Sequence, residues 1–166
     1  MMSTANSSFR NGLYAGLLVA VALGVYLMQL WGSEHQVRLH TAHLIAALET
    51  KDWAAAKEFI DPAYIDQWGH DRALLMSRLQ QILPYARHLQ IEPREVIVRT
   101  AEGIGEWRAR VTVEADPNEV TALIKERVNP LKEPFELKWQ QRSKKPWDWK
   151  LARASNSALE LPSGGF

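Results

Sequence analysis

"PFELKWQQRSKKPWDWKLAR", residues 134–153, carries three of the chain's seven tryptophans. Side chains on an extended strand alternate between two faces. Phe135, Leu137, Trp139 and Gln141 therefore share one face, and Glu136, Lys138, Gln140 and Arg142 share the other. After Ser143-Lys144-Lys145-Pro146, Trp147, Trp149 and Leu151 alternate with Asp148, Lys150 and Ala152. All the apolar residues are odd-numbered. A hairpin pairing residues of even sum gathers the rings on one buried face, for example with Trp139 opposite Trp149. A slip of one residue would expose every ring, so the register is strongly specified. The rings read as sheet core, with Arg142, Lys144 and Lys145 as its solvated turn.

Upstream, Trp107, Ala109, Val111, Val113 and Ala115 alternate with Glu106, Arg108, Arg110, Thr112 and Glu114, the pattern of a half-buried strand. LQIEPREVIVRT before it predicts one or two shorter strands bent at Pro93. Between Asp116 and Lys132, the spacing of Val120, Leu123, Ile124 and Arg127/Val128 predicts a short helix capped near Asp116-Pro117, with a strand as the alternative.

The first half of the domain has helical spacing. Val37, Thr41, Leu44 and Leu48 mark one face of a helix over 33–50, with Ser33 as its cap. Asp52 caps a second helix, WAAAKEFI, with Trp53, Ala56 and Ile60 inward. That helix stops at Asp61-Pro62, since a residue before proline is pushed out of the helical region. A third helix, Asp71 to about Leu83, turns Leu75, Leu79, Ile82 and Leu83 inward. Three helices followed by an antiparallel sheet make an α+β fold with the helices on one sheet face.

In this layout, "LIAALETKDWAAAKEFIDPAYIDQW" and the closing strands FELKW and WDWKLAR resemble the nuclear transport factor 2-like superfamily, over about residues 34–155. The resemblance implies a cone-shaped domain of three helices on a curved antiparallel sheet. It also implies that an enzyme of this kind would use an interior Asp–His pair, or an Asp base with Tyr and Asp donors. The superfamily hosts enzymes, binders and scaffolds alike, so the fold does not give the function.

Ahead of the domain, no charged residue falls between Arg10 and Glu34. Residues 12–31, GLYAGLLVAVALGVYLMQLW, would form about 30 Å of helix, matching the hydrocarbon thickness of a bilayer. Tyr14 at one end, and Tyr26 and Trp31 at the other, suit the interfaces. The ending MQLWGSEH lacks the small-residue cleavage site of a signal peptide. The expected organisation is a stub (1–10), a single transmembrane helix (11–32), an α+β domain (33–156) and a C-terminal tail (157–166). The short stub favours an extracytoplasmic, periplasmic domain. Gly12, Gly16, Ala20 and Gly24 recur every four residues, and small residues let a helix pack closely on a neighbour in lipid.

The chain has 166 residues, a net charge of +1 and no cysteine. The charge balance argues against nucleic-acid binding, and the missing thiols exclude disulfides and thiolate metal sites. Tyr64, Trp68, Tyr85, Trp107 and Trp139 are the rings expected to line a pocket. Tyr64, Asp66, Trp68, His70, Tyr85 and His88 hold the polar groups an enzyme would use. No spacing among them marks a dyad, and His70 and His88 read as surface or loop residues. His40 and His43, with His35 nearby, have two-ligand spacing on a helix, but Glu49 lies too far along to complete a metal site. They read as solvated. No cofactor or metal motif is present.

The expected function is that of a single-pass membrane-anchored accessory or assembly subunit. Its partners would be the bilayer and a membrane protein complex, and its domain a non-catalytic docking module. The plan is similar to that of inner-membrane assembly factors of type IV secretion. The alternative is a membrane-tethered small-molecule-binding protein or an isomerase- or dehydratase-like enzyme. A buried ionisable residue facing a cavity would favour the alternative. A filled cone with an apolar outer sheet face would favour docking.

Overall fold

The computed structural model describes residues 16–27 and 31–160. Residues 16–27 are helical, and a Cβ added at Gly16 or Gly24 would meet nothing within 4 Å. The remainder of the expected span over 11–32, Gly12 included, lies outside the described residues apart from Trp31 and Gly32. Among the described residues, no helix is long and apolar enough to cross a membrane.

The domain runs α1 (Ser33–Thr50), α2 (Trp53–Phe59), α3 (Arg72–Ile82), β1 (Gln90–Ala101), β2 (Ile104–Glu114), α4 (Glu119–Val128), β3 (Phe135–Gln141) and β4 (Trp149–Ser155). The strands form one antiparallel sheet in the order β1-β2-β3-β4. It is an α+β fold.

Local chemistry sets the helix ends. Asp52 and Asp71 each accept a backbone N–H three residues on, from Ala55 at 3.0 Å and Leu74 at 2.8 Å, satisfying donors that a helix start leaves orphaned. Two caps differ from the sequence expectation. Gly32, with no side chain to offer, precedes α1 in place of a Ser33 cap. Asn118, not Asp116-Pro117, starts α4 in a reciprocal capping box with Thr121.

β1 is a single strand with no break at Pro93. The irregularity comes two residues later, between Arg94 and Ile97, where Glu95 takes φ 57°. This is the local two-for-one count of a bulge, which bends the strand without ending it. The two residues joining β1 to β2, Glu102 and Gly103, both have positive φ, the turn geometry that suits strand twist.

The β3–β4 hairpin keeps the even-sum parity near its turn, but two residues from the expected register. Trp139 faces Leu151, and Gln141 faces Trp149. The turn sets this offset: Arg142 N–H donates to the Asp148 carbonyl at 2.8 Å, and Trp149 Nε1 donates to the Pro146 carbonyl at 2.8 Å. Trp147 stays in the turn and is 53% exposed, so it is not part of the ring face. A second irregularity between Lys138 and Trp139 switches the far end to Leu137 opposite Ala154.

Trp107, Trp139, Trp149 and Leu151 from the sheet pack with Val37, Leu44, Ala56, Ile60 and Tyr64 from the helical side in the main core. The opposite sheet face is charged. Arg108 pairs with Glu136 at 3.0 Å, Lys138 with Glu106 at 3.8 Å, and Arg110 with Glu95. Solitary side-chain amides or carboxylates cover free strand backbone. The Asn129 amide brackets Val113, accepting its N–H at 2.8 Å and donating to its carbonyl at 3.1 Å. Glu49 accepts from Ile91 N–H at 2.7 Å.

Candidate functional site

After α2 the chain runs beside β4 and turns back into α3. The N–H groups of Asp61, Ile65 and Gln67 donate to the carbonyls of Leu151 (2.9 Å), Ala152 (3.3 Å) and Ala154 (3.1 Å). This lays Asp61, Tyr64 and Asp66 inward on the sheet edge, all buried.

The turn Asp66-Gln67-Trp68-Gly69-His70 closes on itself. Asp66 N–H donates to the His70 carbonyl at 3.1 Å, and Gly69 supplies the left-handed φ of 82° that reverses the chain. Asp66 Oδ1 accepts the backbone N–H groups of Trp68 (2.9 Å) and His70 (2.8 Å), as Asp does in turns. Its other oxygen, Oδ2, accepts from His70 Nδ1 at 2.9 Å. Asp66 is 4% exposed and His70 9%. The structure thus makes a buried, oriented Asp–His pair from residues that the sequence left unpaired, and it buries a histidine read as a surface or loop residue. The ring geometry leaves Nε2 with no partner among the described residues. Beside the pair, burial drives the Tyr64 phenol pKa far above its usual 10, with the Asp66 charge adding to the rise.

Tyr64, Asp66, Trp68 and His70 line a cavity of about 330 Å³, near the lower end of the size range of small-molecule pockets. Its apolar wall comes from Leu75, Leu79 and Ile82 of α3, Ile124 and Val128 of α4, and Ala154 of β4. Arg78 and Arg127 enter from the two helices. Leu75 and Leu79 pack against the main core as well, and the α3 residues stay half-buried because the cone is left open between α3 and α4. Leu159 closes one side. It is held there because Trp68 Nε1 donates to its carbonyl at 3.0 Å, while Gln67 and Asn156 exchange side-chain-to-backbone bonds of 2.6 and 3.0 Å.

Of the five rings expected at a pocket, the structure brings Tyr64 and Trp68 to this cavity. Trp107 and Trp139 lie in the packed core. Tyr85 is 63% exposed and lines a separate groove of about 210 Å³ on the far side of Ile82 and Ile124. His88 is exposed and donates from Nδ1 to Asp116 at 2.9 Å. His40 is half-buried rather than solvated. Its ring stands edge-on to Phe59 at 5.7 Å and to Trp139 at 6.0 Å. His43 is exposed, and its ring centroid lies 6.2 Å from that of Phe59. Among the described residues, no three His, Asp or Glu side chains are grouped to hold a metal.

A second buried carboxylate, Asp61, forms an ion pair with Arg142. Burial alone would raise its pKa. The Arg142 hydrogen bond and charge, with the Ala63 N–H at 2.7 Å, outweigh burial and hold it below 3.8. Arg142 is therefore an anchoring residue, not just part of a solvated turn.

No protein-family model matches the sequence, and no curated protein matches it. Solved structures do. Bd1075 of Bdellovibrio bacteriovorus aligns with TM-score 0.58 at 12% identity, over 79% of this chain and 44% of that one. The chain thus spans less than half of Bd1075. A nuclear transport factor 2-like protein of Pseudomonas putida KT2440 aligns with TM-score 0.57 at 8% identity, over 75% and 84% of the two chains. A protein of Nostoc punctiforme with a cystatin-like fold aligns with TM-score 0.54 at 11% identity, over 75% and 91%. The fold is that of nuclear transport factor 2-like proteins.

Proposed function

We propose that this domain binds a small, mostly apolar molecule in the cavity between α3, α4 and β4, and that His70, oriented by Asp66, is the polar group that meets it. The observation that carries this is the buried Asp66–His70 pair lining an otherwise largely apolar cavity. With Nδ1–H donated to Asp66, the ring is fixed and Nε2 remains to take or give a proton. That suits proton-transfer chemistry of the isomerase or dehydratase kind, in which a positioned imidazole acts on a bound molecule.

The membrane anchor belongs to the same proposal. Residues 11–32 tether the domain to a bilayer on its extracytoplasmic side, and Gly12, Gly16, Ala20 and Gly24 pack on a neighbouring helix. The uncharged run from 11 to 33 supports this. The outer sheet face that a docking module would use is mostly ion-paired, with Ile97 and Ile104 as its exposed apolar residues.

A thermal-shift screen of small apolar compounds tests the cavity. Binders should raise the melting temperature of the wild type. They should not raise that of Leu79→Trp, which fills the space, and His70→Gln should weaken them. A screen without binders, or binders unaffected by Leu79→Trp, would overturn the proposal. Alkaline carbonate extraction tests the tether, which fails if the chain leaves the membrane fraction.

A further inference from the structure

Among the described residues, the cavity holds one charged side chain without a partner. Arg78 of α3 and Arg127 of α4 both line it, both half-buried, and the carboxylate among its lining residues is Asp66. Both Asp66 oxygens are already occupied, by two backbone N–H groups and by His70. Arg127 interacts within the protein. Arg78 has no ion-pair or hydrogen-bond partner among the described residues. Half-buried on a largely apolar lining, Arg78 keeps its N–H donors free for a ligand. Its planar fork matches a carboxylate through two parallel hydrogen bonds, which a neutral polar group cannot reproduce.

We propose that the molecule this cavity selects is an apolar carboxylate. Arg78 takes the acid, and the apolar body lies against Leu75, Leu79 and Ile124. This rests on the cavity being a binding site, as argued above. It adds a charge and a chemical class to the ligand. It also separates the roles of the polar groups: Arg78 anchors the acid and leaves the Asp66–His70 pair to meet the body of the molecule.

A matched pair of probes tests this. Naphthoate and naphthylmethanol share one ring system and differ in the acid. Each is titrated calorimetrically into the full chain in lipid nanodiscs at neutral pH, with empty nanodiscs as the blank. Naphthoate should bind tenfold or more tightly than the alcohol, and added salt should narrow the gap. Arg78→Met should remove most of the preference by weakening naphthoate while leaving the alcohol unchanged. Arg78→Lys, which keeps the charge and loses the fork, should retain part of it. Equal affinity for the two probes, or a preference untouched in both variants, would overturn the carboxylate assignment and leave the cavity as a binding site. Failure of both probes to bind would overturn the assignment together with the cavity reading beneath it. A melting curve on each variant separates loss of binding from loss of fold.

Discussion

Gly105 of β2 lies directly against Val37 of α1: a Cβ added at the glycine would come within 2.5 Å of the valine Cγ2. The same Cβ would sit 3.3 Å from the Trp149 ring and 3.5 Å from Trp139 Cβ. The backbone of β2 is therefore in contact with the helix and two core tryptophans at once, and no side chain fits between them. Gly105→Ala is expected to destabilise the domain by ~1–3 kcal/mol, the usual cost of overpacking a filled core. Chemical denaturation of both proteins measures it. Val37→Ala in the Gly105→Ala background should recover part of the loss, because it removes the methyl that clashes.

The Asp61–Arg142 pair predicts a pH dependence. The folded-state pKa of Asp61 lies below its ordinary 3.8. The native state therefore favours the carboxylate. The pair's contribution is complete above the unfolded-state pKa and is lost as pH falls through the folded value. Arg142→Ala leaves a buried carboxylate without its cation, and a loss of ~1–3 kcal/mol is expected at neutral pH. The gap between wild type and Arg142→Ala should shrink below pH ~4. Urea titrations across the acid range decide this, and a gap that widens toward acid would contradict it.

In the hairpin, Trp139 is fully buried whereas Lys144 is exposed in the turn. Trp139→Ala should cost ~3–5 kcal/mol, as truncation of core aromatics does. Lys144→Ala should cost less than ~0.5 kcal/mol, as for surface positions without special contacts. Comparable losses from the two would contradict the observed register.

Asn156 holds the segment that closes the cavity. Its side chain donates to the Glu133 carbonyl at 2.9 Å and accepts the N–H groups of Ala158 and Leu159, each at 2.9 Å. Asn156→Ala should loosen residues 156–160 before the core. Hydrogen exchange at Ala158 and Leu159 should accelerate while the amides of β2 and β3 keep their protection. Uniform acceleration throughout would mean that the segment is part of the global unit.

The sequence by itself determined the layout: helices of period 3.6 first, then strands of period 2. The alternation in Trp107–Ala115 and in Phe135–Leu151 identified the sheet face that carries Trp107, Trp139 and Trp149, but it also placed Trp147 there, which stays in the turn. The capping role of Asp52 was equally legible, because it acts on an N–H group three residues away, whereas Asp71, read as the start of its helix, proves to be that helix's cap. Register was less so. Parity puts the rings on one face near the turn, but the turn's own hydrogen bonds chose Leu151, not Trp149, as the partner of Trp139. The candidate site depended on tertiary structure almost entirely. Asp66 and His70 are four residues apart outside any helix, so spacing gives no reason to pair them. Only the Asx turn around Gly69, held against β4, brings Nδ1 to Oδ2. Gly69 three residues after an aspartate was the one local signal of that turn. Likewise, Leu75 and Leu79 have the periodicity of core residues. That they border an open cavity follows from how far α3 and α4 stand apart, a distance set by packing between segments remote in sequence.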